Sequence, residues 1–250
     1  MTEKKNKSAI QRRLIPTYIF LIIVSFISVF PLYWMISAAT NTSTDVSRGR
    51  ILPGTYFMEN FKNLTAQQPL WRALGNSLFY AVLTTVICLL ICSIAGYGFE
   101  VYHDRWKDRL FSILLLAMMV PQVATMVPLF KMFSKAGLLN TAVGFILPIL
   151  STPFMIMMFR QNARAFPIDI IEAARIDGAT DYQIIRKVVF PLVKPALATV
   201  MLLAFQGAWL DANASTMYLD SETLKTFAYY IGTLTAGGSV ITQGIAAAGA

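Results

Sequence analysis

Residues 167–191 read PIDIIEAARIDGATDYQIIRKVVFP, a polar, helix-forming interval set between strongly apolar segments. Pro167 and Asp169 suit a helix start, Gly178 interrupts the helical pattern, and Thr180 followed by Asp181 suits the cap of a second short helix that Pro191 stops. The spacing predicts a helix-turn-helix of about two or three turns per arm. Arg160, Arg164, Arg175, Arg186, Lys187 and Lys194 lie in or beside it, which assigns it to the positively charged, cytoplasmic side of a membrane. The hairpin is too polar to insert into lipid and too short to be a domain. Its place between two membrane spans suits docking into another protein.

The rest of the chain follows from the apolar runs on either side. Of 250 residues, 56% are apolar and only 14% charged, and the apolar residues fall in long stretches. This predicts an all-α, polytopic membrane protein. Residues 1–13 form a basic cytoplasmic start, and residues 14–250 a transmembrane domain. Spans are expected at about 14–38, 76–99, 110–130, 141–159 and 195–211, with a partial one at 241–250. A cleaved signal peptide is the rival reading of the first run, with Ser37-Ala38-Ala39 as a faint cleavage site. The run exceeds the ~7–15 apolar residues of a signal peptide, which favours a retained anchor. Residues 40–75 and 212–243 are expected to be loops. Pro121 and Pro128 interrupt the third span, as in helices that line transporter cavities, or as in helices kinked and packed by their neighbours. The last apolar stretch is too short to cross ~30 Å of hydrocarbon.

Charge supports that topology. The proposed cytoplasmic segments hold fourteen Lys and Arg residues against seven on the other side, which puts the N-terminus and the hairpin on one side. The net charge of +8 raises nucleic-acid binding, but the basic residues lie between spans rather than along one face, so no nucleic acid is expected. Cys88 and Cys92 share a helix face inside an apolar run and read as small apolar filler. His103, the one histidine, sits in a short basic loop. No metal site or catalytic constellation is expected. No G-x-x-x-x-G-K-[ST] loop occurs, so the chain has no phosphate cradle of that kind.

Glu172-Ala173-Ala174, three residues, Gly178, nine more, then Val188-Val189-Phe190-Pro191 resembles the EAA signature of ABC importer permeases, with Val188 and Phe190 as apolar replacements. The resemblance runs from the first span to beyond the fifth. It is greatest to the carbohydrate-uptake permeases, the second subunit of pairs such as the maltose transporter's. It is carried by Asn76-Ser77-Leu78, Met119-Val120-Pro121, Pro128-Leu129, Glu172 to Gly178 and PLVKPALA at 191–198. The resemblance implies a six-span importer permease whose sixth span is incomplete in this sequence. It implies a bacterial-type cell membrane, a cytoplasmic N-terminus, a second homologous permease, two ATP-binding cassette ATPase subunits and an extracellular solute-binding protein. This chain would hold no cofactor, ATP and Mg being bound by the ATPase. The hairpin would be the coupling element, through Asp169, Glu172, Ala173, Ala174, Arg175, Asp177 and Gly178. Ile170, Ile171, Ala174 and Ile184 are expected to supply its apolar contact with the ATPase.

The substrate path is read from polar and aromatic residues in the spans. Gln206 lies ~16 Å and Trp209 ~21 Å along the fifth span from Pro195. An amide and a ring suit the hydroxyl edges and C–H faces of a sugar. Gln206 equally suits helix–helix adhesion, and Trp209 an interfacial belt. Gln122 and Asp211 complete the candidate set. Where the family commonly has Trp-Asn-Asp and a following proline, this chain has Trp209-Leu210-Asp211 and none nearby. The leading reading is an ATP-driven importer of a sugar or oligosaccharide. A non-sugar solute (amino acid, peptide or osmolyte) is the near alternative. An ion-coupled carrier would need ionisable groups within the spans, and only Asp211 approaches that; a membrane-embedded enzyme lacks its constellation.

Overall fold

The computed structural model describes residues 2–101, 104–150, 152–164, 168–189, 191, 194–236, 247 and 249. Among them there is no strand, and the protein is all-α. The chain divides into two compact units, residues 1–69 with 231–250, and residues 70–230.

The first unit begins with α1, Thr2–Ala39, which runs through Pro16 and Pro31 as one helix. Its apolar side chains from Tyr18 to Ile36 are largely exposed, as a lipid-facing span requires. The segment expected as a polar loop holds two helices, α2 (Ser43–Ser47) and α3 (Phe57–Gln67). Their backbone is knotted to the end of α1 by buried polar side chains. Ser37 donates to the Ile51 carbonyl at 2.6 Å, Asn41 to the carbonyls of Ser37 and Leu52, and Asn60 to those of Ala39 and Asn41. Ser37, Ala38 and Ala39, the faint cleavage site, are therefore buried structural residues. The stretch from 241 lies outside the described residues except for 247 and 249.

The second unit is built on α4, Leu70–Val101, which starts six residues before the expected span because Leu70–Gly75 continues the helix. Pro16–Ala39 and Leu70–Val101 are each long and apolar enough to cross a membrane. The expected third span is instead two helices, α5 (Arg105–Ala117) and α6 (Gln122–Lys135), bent by 104°. Pro121 sets this corner, since it has no N–H to continue α5 and holds the residue before it out of helical geometry. Pro128, by contrast, stays inside α6. The fourth stretch is likewise broken, as α7 (Ala142–Ile146) with a 3-10 turn at Leu147–Ile149, then α8 (Pro153–Arg164), at 43°. The hairpin helices α9 (Ile168–Ile176) and α10 (Asp181–Ile184) follow, the latter running into a π turn at Ile185–Val189. Then come α11 (Lys194–Leu210), α12 (Ala212–Tyr218) and α13 (Phe227–Ala236).

The core forms where α4 presents a small face. Ala81, Thr84, Cys88, Cys92 and Gly96 are buried at helical spacing, and small side chains let neighbouring backbones approach closely. α11 answers with Val200, Ala204 and Ala208 at every fourth position. At Gly96 the approach of α8 is so close that a Cβ would lie 2.5 Å from Phe159 Cβ and 2.9 Å from the Arg160 nitrogen. The opposite face of α4 exposes Leu78, Phe79, Val82, Val86, Leu90 and Ile94.

A charge cluster closes one end of this packing. Arg160 on α8 donates to Glu100 at 3.0 Å and to Asp108 at 3.3 Å, while its guanidinium lies 4.1 Å from the Phe111 ring centroid. Arg164 shares Glu100 at 3.3 Å. The Arg160 and Glu100 side chains are only 10% and 15% exposed, so removing one leaves the other's charge poorly solvated. Arg160→Ala is expected to destabilise the protein towards the low end of ~3–5 kcal/mol, because Arg164 still neutralises Glu100. Gly96→Ala is expected to destabilise it by ~1–3 kcal/mol through overpacking, and Gly96→Leu to prevent α4–α8 packing. Thermal unfolding of the detergent-purified protein measures each; unchanged melting in Gly96→Leu would contradict the close approach.

Candidate functional site

Two regions carry chemistry, the α9–α10 hairpin and a cavity lined by α5, α6, the α7–α8 break, α11 and α12.

The hairpin turns at Gly178, whose φ of +81° is in the left-handed region that favours glycine. Thr180 caps α10 by a reciprocal box. Its Oγ1 accepts from the Gln183 N–H at 3.4 Å and its own N–H donates to Gln183 Oε1 at 2.9 Å. Arg175 spans the turn to Asp181 at 3.3 Å. Glu172, Ala173, Arg175, Asp177 and Gly178 are exposed and Ala174 is half-buried. The Asp169 backbone belongs to α9, but its side chain, like Pro167, lies outside the described residues.

The apolar side chains divide differently from the expectation. Ile171 and Ile184 are 5% and 0% exposed and belong to the same cluster as Cys88, Phe159 and Val200. They fasten the hairpin to α4, α8 and α11 and are not available to a partner. The large apolar side chains left exposed are Ile170, Ile176 and Tyr182, with Ile176 at 86%. Helical phase explains this: Ile171 and Ala174 face inward together, which turns Glu172, Ala173 and Ile176 outward.

The cavity is a half-open cleft of about 600 Å³, within the ~300–1,000 Å³ of small-ligand sites. Gln122 and Asp211 both line it, with Gly207 and Leu210 of the same helical face of α11. Gln206 and Trp209 do not. Gln206 is exposed and is not among the lining residues, and Trp209 stacks on Phe205 with centroids 5.6 Å apart. Thr125, Thr152, Asn213 and Tyr218 are further polar lining residues, among methionines 126, 155 and 217. Asp211 caps α12, accepting from the Ala214 N–H at 2.8 Å. Thr125 donates to the Gln122 carbonyl at 2.8 Å. The common signal of the polar lining was an interruption of the apolar pattern: Gln122 and Thr125 follow Pro121, Thr152 precedes Pro153, and Asp211 and Asn213 sit where α11 gives way to α12. Helix breaks with polar backbone belong where protein or water, not lipid, surrounds them.

The wall holding Asp211 is anchored by polar residues of α4 and the α6–α7 connection. Asn76 donates to the carbonyls of Thr223 and Lys225, Ser77 accepts from the Phe227 N–H at 2.8 Å, and the Tyr80 hydroxyl donates to the Leu224 carbonyl. Asn140, at φ +57°, accepts from the N–H groups of Asp220 and Ser221. Residues 212–227, expected as loop, are thereby folded against α4 and the α6–α7 connection. Among the described residues no group of three or more His, Cys, Asp or Glu side chains is placed to hold a metal ion.

The comparisons with known proteins agree with this geometry. Residues 88–227 match the family described as "Binding-protein-dependent transport system inner membrane component". The chain is 34% identical to the lactose transport system permease protein LacG of Rhizobium radiobacter, over 91% of this chain and 84% of that protein. It is 33% identical to the arabinooligosaccharides transport system permease protein AraQ of Halalkalibacterium halodurans, over 84% and 77%. It is 31% identical to the trehalose transport system permease protein SugB of Mycobacterium tuberculosis, over 74% and 68%. Its fold matches a chain of a bacterial ABC transporter involved in the import of the acidic polysaccharide alginate, with a TM-score of 0.82 at 24% identity, covering 96% of this chain and 89% of that one. With a family match across the core and close relatives along nearly its whole length, the chain belongs to the binding-protein-dependent transport system inner membrane components.

Proposed function

We propose that this chain is a permease subunit of an ATP-driven importer for a sugar or oligosaccharide in a bacterial-type cell membrane. It supplies one half of a six-span-type translocation path and takes its driving force from a separate ATPase through the α9–α10 hairpin. The observation that carries this is the hairpin itself: its EAA face, Glu172, Ala173, Arg175, Asp177 and Gly178, points outward, while Ile171 and Ile184 are buried in the core. Permeases named for lactose, arabinooligosaccharides and trehalose transport support a saccharide cargo. A periplasmic protein complexed with the alginate transporter supports an extracellular solute-binding partner. On this reading two ATPase subunits bind ATP and Mg, a second homologous permease completes the path, and the N-terminus and hairpin face the cytoplasm with most of the Lys and Arg residues.

The mechanism follows from rigidity. Packed interfaces shift between discrete arrangements rather than deforming continuously. A displacement of the hairpin is therefore transmitted through Ile171 and Ile184 to α4, α8 and α11, and α11 carries Gly207, Leu210 and Asp211 into the cavity wall. Glu172 is the exposed carboxylate for a basic group on the ATPase, and Ile176 and Tyr182 are the apolar contacts.

Glu172→Lys and Gly178→Asp are expected to abolish transport while the protein still inserts in the membrane, the second because an aspartate is strained at φ +81°. Sugar uptake by cells and co-purification of the ATPase measure both. Normal uptake with normal ATPase binding in these variants would refute the coupling role. A purified assembly of this chain alone that transports without ATP would refute the importer reading.

A further inference from the structure

Building on the saccharide-importer reading, we propose that the cavity accepts uncharged saccharides and rejects acidic ones, with Asp211 as the discriminating group. The charge of the wall is one-sided. Its polar side chains are Gln122, Thr125, Thr152, Asp211, Asn213 and Tyr218, and among the described lining residues there is no Lys, Arg or His. Asp211 is thus the one charged side chain among the described lining residues. Lys225 is next in the sequence towards α13, and it is engaged elsewhere. Its amine donates to the Ser215 carbonyl at 3.4 Å and lies 4.0 Å from the Tyr229 ring centroid.

Asp211 is held in place by the Ala214 N–H at 2.8 Å and cannot swing away from an approaching anion without leaving α12 uncapped. A uronic acid carboxylate entering this space meets a fixed like charge, with no cation among this chain's described lining residues to offset it. A neutral sugar meets no such penalty. Its hydroxyls can donate to the Asp211 carboxylate. Met126, Met155 and Met217 supply adaptable apolar contact for the C–H faces. The fold does not set this preference, since a transporter of the acidic polysaccharide alginate has the same one. The side chains at the helix breaks set it.

The test is binding to the permease–ATPase assembly in nanodiscs, without the solute-binding protein, so that selection by that protein does not enter. The probes are lactose, trehalose and raffinose, each beside its analogue oxidised to a carboxylate at one C6. For the wild type, at least one neutral sugar is expected to bind about tenfold or more tightly than its acidic analogue. Asp211→Asn is expected to bring each pair to within about threefold, Asp211→Glu to keep the preference, and Thr125→Lys to reverse it. Thr125→Lys carries the test if Asp211→Asn does not assemble, since Thr125 caps no helix. Equal binding of neutral and acidic forms by the wild type would overturn the inference and leave the saccharide reading standing. So would an unchanged preference in both Asp211→Asn and Thr125→Lys. Binding of an amino acid or osmolyte with none of any saccharide would overturn the saccharide reading and the inference with it.

Discussion

The close packing of α8 and α11 on the small face of α4 is the constraint on which the second unit depends. Gly96 leaves no room for a Cβ against Phe159 and the Arg160 backbone, and Ala81, Cys88 and Cys92 keep the same face narrow along the helix. In a lipid environment apolar surface is already solvated by apolar chains, so the hydrophobic effect does not hold helices together there. Close van der Waals contact and satisfied polar groups must do so. The buried Arg160–Glu100 pair, shared with Arg164 and Asp108, adds a directional lock at the end of α8 that leads to the hairpin.

This packing determines how a hairpin at the surface can act on a cavity. Ile171 and Ile184 are as deeply buried as the residues of α4 and α11 that they touch. The hairpin is therefore joined to the core through these two buried side chains, with its other face exposed. Its reciprocal cap at Thr180, the Arg175–Asp181 pair and the left-handed Gly178 keep its own shape constant. A rigid element rooted in the core transmits displacement, where a mobile one would absorb it. The cavity is at the other end of the same helices. Gly207 and Leu210 of α11, Asp211 just after it and Thr152 before α8 are among its walls, so both elements that carry the hairpin also reach the cavity.

The hairpin's two arms, its break at Gly178 and its cap at Thr180 were legible in the sequence because they rest on local backbone preferences. Its buried and exposed isoleucines were not. Ile170, Ile171 and Ile176 are chemically equivalent, and only the packing of α9 against α4, α8 and α11 decides which of them points inward. The span-three prolines show the same division. Both Pro121 and Pro128 lack an N–H, but Pro121 stands at a 104° corner while Pro128 remains within a helix, a difference that proline chemistry alone does not contain. The segments read as loops, 40–75 and 212–243, carry helices, and side chain–backbone hydrogen bonds of Asn60, Asn76 and Asn140 hold them. Such long-range bonds leave no periodic trace in the sequence.

By itself the sequence determined the all-α membrane class, the hairpin and the kinship with importer permeases. Long apolar runs, Lys and Arg asymmetry and motif spacing depend on composition and on near neighbours along the chain. Only the tertiary structure decided which polar residues share a cavity. It brought Gln122 and Asp211, eighty-nine positions apart, to one wall with Thr152 and Asn213, and left Gln206 out of that lining. Residues on one helix differ in direction by about 100° per step. Which direction faces a cavity is set by the helices packed alongside, and no single stretch of sequence contains that information.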